Sequence, residues 1–344
     1  MKGRLRFSPL IWVAALLLAL MLPAVARDAQ FETIAFYTYL YVTMATAWNI
    51  IGGYAGYISL GHAAFFGLGA YTIALLAASL HLAGGYGLIA ATLAGGLVAG
   101  LAAVPMGVVA LRLRSMHSFV IVTIAYLFMF QLLAYNLIRT TGGSQGIGIP
   151  QPSWDPTFFN IPFYFAALLL GTLTILLSAW VRNSRFGLGL LAIRDDEDKA
   201  AGVGVETWTY KFTAYVLSAV PVGVAGALYA CYASFIYPQT VFDPLIDLSI
   251  VLSAFFGGMG TLAGPVLGAV VLQPAQQLLT YYTGAAGWDL VLFGALFLAV
   301  ILILPAGVVP TLRQRLEGSR LEGATGEVDQ ERLPVSRVAG GGEA

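Results

Sequence analysis

Charge is what this sequence has least of: 10% of its 344 residues are Asp, Glu, Lys or Arg, against roughly 25% in an ordinary soluble domain. Acids and bases balance at 17 each, so no basic surface is offered to a nucleic acid. Cysteine occurs once, at Cys231, which excludes an internal disulfide and a cysteine-rich metal site. Lysine occurs only at Lys2, Lys199 and Lys211, none of them after a glycine, so a Walker A phosphate loop is impossible. His62, His81 and His117 are scattered and no His-Glu-x-x-His string exists, which leaves a zinc hydrolase without ligands. The chain is therefore expected to be no enzyme and to bind no metal or cofactor itself.

What fills the chain is apolar sequence, 59% of it, more than a core of this size absorbs; lipid must solvate much of it. Apolar stretches of about 20 residues cross a bilayer. They are predicted near 8–26, 32–51, 63–82, 86–111, 117–138, 161–181, 212–234, 245–257, 262–283 and 288–305. The expected fold class is all-α, a polytopic membrane bundle of about ten helices over residues 1–311. A polar tail, 312–344, is expected to be disordered. The eighth stretch is too short to cross unaided and reads as re-entrant or broken. Lys2, Arg4 and Arg6 precede an apolar run ending Ala24-Val25-Ala26, which resembles a cleavable signal peptide. Its length, with many spans following, favours an uncleaved anchor.

Lys and Arg set the orientation. With the N-terminus cytoplasmic, Arg112, Arg114, the 182–211 segment and the tail share one side, leaving Arg27 and Arg139 outside. Both termini are then cytoplasmic, and the Gly- and Pro-rich loop 139–160 is external.

Two Gly-rich strings interrupt the apolar pattern in opposite halves of the chain, residues 51–71 and 255–269. Paired broken or re-entrant helices in pseudo-repeated halves point to a solute pathway. The plainer alternative is tight helix packing, as the GxxxG pairs Gly96–Gly100 and Gly264–Gly268 permit. Ion-coupled carriers usually keep ionisable groups within their spans. The candidates are His62, Asp243, Asp247 and Asp289; the two former aspartates fall near a predicted outer mouth, and no pair forms a relay.

The 182–211 segment holds the densest charge, Arg194 to Lys199 reading RDDEDK before AAGVG. A helix beginning near Asp195 places its acids in the first turn, where the helix dipole favours them, and Gly202 or Gly204 can end it. A short charged helix between two spans suits docking onto a soluble partner; the alternative is a solvated loop obeying the positive-inside rule. Its length favours docking, since a plain helix connection needs about 2–8 residues.

Three strings are similar to one known family. Residues 47–76 (AWNIIGGYAGYISLGHAAFFGLGAYTIALL) resemble the first signature of branched-chain amino acid ABC transporter permeases of the LivM type. The 182–211 segment resembles that family's cytoplasmic loop through Arg185-Phe186-Gly187, Ala192-Ile193-Arg194, Glu197, Ala200, Gly204 and Tyr210-Lys211. Residues 249–272 (SIVLSAFFGGMGTLAGPVLGAVVL) resemble its second Gly-rich signature. Tyr57 stands where members commonly carry glutamine, and Asp195 where glutamate is usual.

The resemblance implies a multi-pass subunit of a bacterial inner membrane, importing branched-chain or other hydrophobic amino acids. It implies as partners a second permease of the LivH type, two cytoplasmic ABC ATPases of the LivG and LivF types that use ATP and Mg, and a periplasmic substrate-binding protein. Urea and short-chain amide permeases share much of the pattern. From other classes, an ion-coupled carrier and a pathway-free scaffold stay open, opposed by the missing acid pairs and by the twin breaks.

The candidate pathway residues are Asn49, Tyr57, Ser59, His62, Gly257, Gly258 and Gly260. Candidate coupling residues are Arg185, Arg194, Asp195, Asp196, Glu197, Ala200, Ala201 and Gly204. His62 is either a ligand or gate, or a hydrogen-bonded structural histidine. Asn49 and Ser59 either meet the solute or bond backbone freed at the breaks. Trp48, Tyr37, Tyr39 and Tyr41 are expected to mark interfaces and packing.

Overall fold

A computed structural model of the chain describes residues 17–21, 28–80, 85–112, 115–151, 154, 159–283, 294–295, 298 and 307–311. The expected spans 8–26 and 288–305 fall mostly outside these residues. The tail 312–344, His81, Asp289, Arg27 and Arg114 fall wholly outside them.

The described chain is mainly helical, with one two-stranded ribbon and short non-helical connections. Helix α1 (Ala29–Asn49) runs into a π-helix at Ile50–Tyr54; α2 is His62–Ser79, α3 Tyr86–Arg112, α4 Met116–Asn136 and α5 Asn160–Asn183. Two shorter helices follow, α6 (Arg185–Asp195) and α7 (Glu197–Gly202), then α8 (Thr207–Ala233), α9 (Pro244–Gly257) and α10 (Ala263–Thr283). Strands β1 (Ile147–Gly148) and β2 (Phe235–Ile236) pair antiparallel, Ile147 opposite Ile236.

Among the described residues six helical stretches are long and apolar enough to cross a membrane: α2, α3, α4, α5, α8 and Pro238–Gly257. The described residues thus support a multi-pass helical protein but not the expected count of about ten. The 21 residues of α1 and of α10 match expected spans in position but fall short in apolarity, because Glu32, several threonines and tyrosines, or Gln273, Gln276 and Gln277 interrupt them. The eighth stretch is corrected the other way. A short helix at Pro238–Val241 precedes α9, and together they reach 20 residues.

Helix α8 is the axis, packed on α3, α2 and α1. Small residues let these backbones touch. A Cβ on Gly69 would lie 1.9 Å from the Gly223 carbonyl oxygen, and one on Gly96 2.4 Å from Val224. Opposite faces carry apolar stripes at helical spacing, Leu93, Leu97 and Leu101 on α3, and Leu169, Leu173, Leu176 and Trp180 on α5, all exposed. Stripes of that size suit lipid.

Contacts divide the bundle into two ends. At one, β1 pairs with β2 and Tyr135 donates to Gln239 (2.9 Å). At the other, both Gly-rich interruptions meet the last turn of α5 and the charged segment that follows it.

Candidate functional site

The site is built where the two interruptions meet. Helix α1 passes into the π-helix at Ile50–Tyr54, and residues 55–61 are non-helical until α2 begins at His62. π-Helical turns recur at functional sites. The Trp48 indole N–H donates to the Ser59 carbonyl (2.8 Å), while its ring fills the space where a Gly52 Cβ would sit. At the second interruption α9 stops at Gly257. Gly258 (φ 118°) and Gly260 (φ 78°) then take conformations that L side chains rarely adopt. Thr261 closes the turn, donating to the Gly258 carbonyl (2.7 Å) and accepting the Gly264 N–H (2.9 Å).

One buried side chain joins the two. The Asn49 amide donates to the Thr261 carbonyl (2.9 Å) and its oxygen accepts the Gly260 N–H (2.8 Å). Asn49 thus bonds backbone freed at a break. Two arginines close the same node from the charged segment: Arg194 donates to the Gly53 carbonyl (2.8 Å), and Arg182 donates to the Gly260 carbonyl. The Arg194 guanidinium also lies against Gly260, whose Cβ it would exclude. Arg182 sits over the Tyr54 ring, 5.5 Å from its centroid.

A second tie lies nearby. Tyr57 donates to a Glu197 oxygen, and the Lys211 ammonium donates to the other Glu197 oxygen (2.5 Å) and to the Tyr57 hydroxyl (3.0 Å). Burial raises the Glu197 carboxyl, but the bonds from Lys211 and Tyr57 and the Lys211 charge outweigh it. They hold Glu197 below its ordinary range.

Arg194 and Asp195 close α6, and Asp196 is the break before α7. It caps α7 by accepting the Lys199 N–H (3.0 Å) and pairs with the Lys199 ammonium (2.8 Å). The expected single helix over 194–204 is therefore two, because Asp196 is extended (φ −164°, ψ 110°). Ala200 is buried against the bundle. The outward face carries Ala201, Gly204 and Val203, the last 81% exposed; Arg185, Asp195 and Asp198 are exposed as well.

His62 lies behind the first interruption. Its Nδ1 bonds the Ser59 hydroxyl and its Nε2 the Ser218 hydroxyl, each at 3.0 Å, so both ring nitrogens are engaged. Beside it sits a residue that sequence reasoning had placed near a mouth. Asp247 is 2% exposed, accepts the Ala63 N–H (3.0 Å) at the start of α2, and leaves its second oxygen without a hydrogen bond. The Tyr215 hydroxyl is likewise buried and unpartnered. Arg182 was missed as a site residue, Lys211 was named only as part of the family resemblance and Asp247 only as an ionisable group of a possible carrier; the available signal was a lone charge bordering or inside an apolar run.

Among the described residues no group of His, Cys, Asp and Glu is arranged to hold a metal ion. One Gly-x-Ser-x-Gly string does occur, Gly142 to Gly146. It forms a 3₁₀ turn leading into β1, not the strand-to-helix elbow of a hydrolase nucleophile.

Residues 30–301 match the family described as the branched-chain amino acid transport system permease component. The chain is 28% identical to the high-affinity branched-chain amino acid transport system permease protein LivM of Escherichia coli strain K12, covering 90% of this chain and 76% of that protein. It is 25% identical to the LivH permease protein of the same system and strain, over 78% of this chain and 91% of that protein. The autoinducer 2 import system permease protein LsrC of Yersinia pseudotuberculosis serotype O:3 (strain YPIII) is 28% identical, over 69% and 68%. No solved structure matches.

Proposed function

The chain belongs to the branched-chain amino acid transport permease family, and on that premise we propose that it is the membrane-spanning subunit of an ABC importer for branched-chain or other hydrophobic amino acids. Its multi-pass helical character and its relatives, which are permease subunits, support a transporter subunit in the inner membrane. In this reading a LivH-type permease pairs with it, two cytoplasmic ATPases of the LivG and LivF types use ATP and Mg, and a periplasmic protein delivers the solute.

The observation that carries the mechanism is the double tie between the charged segment and the first interruption, Arg194 to Gly53 and Glu197 to Tyr57. A helix docked on an ATPase moves the pathway only if it is rigidly joined to it. Here α7 would dock through Ala201–Gly204, while Arg194 and Glu197 pull on the backbone of 50–61. Asn49 passes that movement to 257–261. Described basic residues Arg112, Arg182, Arg185, Arg194, Lys199 and Lys211 cluster at the α6–α7 end, with Arg139 at the other. By the positive-inside rule this supports cytoplasmic N- and C-termini and an external 139–160 loop.

The test is reconstitution with a LivH-type permease, ATPases of the LivG and LivF types and a periplasmic binding protein. Leucine uptake that needs ATP and all partners supports the reading; saturable ATP binding by the isolated chain, or uptake without partners, overturns it. Buried Asp247 favours an ion-coupled carrier as the second reading. Leucine uptake driven by a proton gradient alone would select it.

A further inference from the structure

Helix α10 carries two unlike outer stripes. Leu267, Val270, Val271 and Leu278 are exposed at helical spacing, as residues against lipid are. Gln273, Gln276, Gln277 and Thr280 follow the same spacing on another side. Across a groove from them, α1 contributes Gln30, Thr33, Tyr37 and Tyr41, each about one turn from the next. The groove consists of two cavities of about 230 and 450 Å³ that share Gln277 and Thr280, and no Asp, Glu, Lys, Arg or His lines either.

That polarity lies at membrane depth. At 1.5 Å per residue, Gln273 stands about 15 Å and Gln277 about 21 Å from the start of α10, inside a hydrocarbon layer about 30 Å thick. Lipid offers no hydrogen bond there, and an unmatched amide is costly. The α10 side is poorly matched within the chain. Gln273 donates to the Gln276 side-chain oxygen (3.3 Å), and the Thr280 hydroxyl donates to the Gln276 carbonyl (3.0 Å). The Gln277 amide has no partner among the described residues, and Gln276 and Gln277 are both partly exposed.

We propose that this groove is the face by which the chain joins the second permease, and that amide and hydroxyl groups of a LivH-type subunit fill it. The exposed stripes of α3 and α5 are apolar, so lipid suffices for them; the groove needs a neighbour that can both donate and accept. The chain is similar to LivM and LivH proteins alike, so the two subunits share a fold and can meet about a pseudo-two-fold axis, like face to like face. A glutamine stripe suits that symmetry because an amide donates and accepts at once. The inference rests on the import reading and adds where the pair is joined.

The assay is crosslinking in the complete complex in native membranes. Gln277→Cys is paired with a cysteine at the aligned position of the LivH-type permease, and Leu173→Cys on α5, an exposed site, is paired in the same way as a lipid-facing control. Cys231 is wholly buried and leaves a quiet background. A short bifunctional maleimide, matched to the roughly 8–10 Å between packed helices, should join the Gln277 pair at least about fivefold more than the Leu173 pair. The partner should also slow labelling of Gln277→Cys by a lipid-soluble maleimide about fivefold or more, since packed helices exclude the reagent. In a second variant, Gln276→Leu with Gln277→Leu, the co-purified partner should fall roughly five- to tenfold, the loss of two interhelical hydrogen bonds, without a lower thermal midpoint for the chain itself. A stronger band from the Leu173 pair would put the partner on α5 and overturn the inference. Labelling of Gln277→Cys at one rate with and without the partner would also overturn it, leaving lipid or the chain's own span 288–305 in the groove. Either result in a complex that imports leucine leaves the import reading intact. A pair joined through Gln277 that imports no leucine would instead remove the import reading and keep the face.

Discussion

Replacing Arg194 by methionine should uncouple ATP turnover from transport. Methionine keeps an unbranched stem of similar reach and removes only the guanidinium that donates to the Gly53 carbonyl at 2.8 Å. A hydrogen bond from a charged donor contributes about 1.5–3 kcal/mol. The Arg194 bond is only part-buried, so water replaces part of that loss, and about 1–2 kcal/mol is the working figure. A shift of that size alters a two-state equilibrium by a factor of roughly 5–30. The equilibrium in question is between an interruption that follows α6 and one that lags behind it. In complexes reconstituted with ATPases and binding protein, the variant should assemble normally, measured by co-purification. It should move about fivefold or more fewer solutes per ATP hydrolysed, in line with the lower end of that factor. Arg194→Lys should recover part of the ratio, because lysine retains the charge but lacks the planar fork. Wild-type transport per ATP in Arg194→Met would refute the tie, since nothing else connects α6 to Gly53 by a hydrogen bond among the described residues.

Glu197 supplies a pH dependence. Its carboxyl is held below its ordinary range, so the α7 tie is fully present above that range and is lost as pH falls through the lowered value. Amide hydrogen exchange across 195–206 should therefore accelerate only at acid pH, and Glu197→Gln should show the fast exchange at neutral pH. Asn49→Leu leaves the buried Gly260 N–H without its acceptor and the Thr261 carbonyl without its donor, at about 1–3 kcal/mol, and lowers the thermal midpoint in detergent; an unchanged midpoint would refute the role of Asn49 as the join. Gly69→Ala forces a methyl to 1.9 Å from the Gly223 carbonyl and should abolish stable expression. Gly202→Ala meets nothing within 4 Å at a helical position and should be neutral or stabilising by up to about 1 kcal/mol, read from the same thermal midpoint. Equal losses in the two glycine variants would refute the packing account.

The spans were legible because bilayer thickness imposes one length on every crossing helix, and α2, α3, α4, α5 and α8 start and stop within about five residues of the positions read from apolar runs. The count was less legible because apolarity is an average. Helix α1 mixes Glu32, threonines and tyrosines into its length, and side chains that turn inward satisfy each other there: Tyr39 with Tyr164 (3.2 Å), Thr33 with Tyr232 (2.9 Å). A hydropathy window cannot distinguish a polar atom facing lipid from one facing a partner helix. The helix split at Asp196 was missed for a local reason. RDDEDK offers several acids able to cap a helix, and the one that does so is chosen by the Lys199 N–H and ammonium, both within reach of Asp196.

The node itself shows how much a one-dimensional reading can hold. Glycine clusters marked both interruptions, and Asn49 was one of two residues weighed as a bond to freed backbone, because unsatisfied carbonyls at membrane depth demand a donor. The donors from the charged segment were invisible as such. Arg194 lies 141 positions from Gly53, and Arg182 lies 78 from Gly260; neither separation leaves a trace in composition or periodicity. The same charges that read as a solvated or docking surface are divided by the fold. Arg194 and Glu197 turn inward to the interruptions, whereas Asp195, Asp198 and Lys199 face out. A loop whose charges all faced solvent would be free to move without consequence for the bundle. This one is anchored at Gly53, Tyr57 and Lys211, so a force applied to the outward face of α7 has a short, hydrogen-bonded route to the backbone of both interruptions.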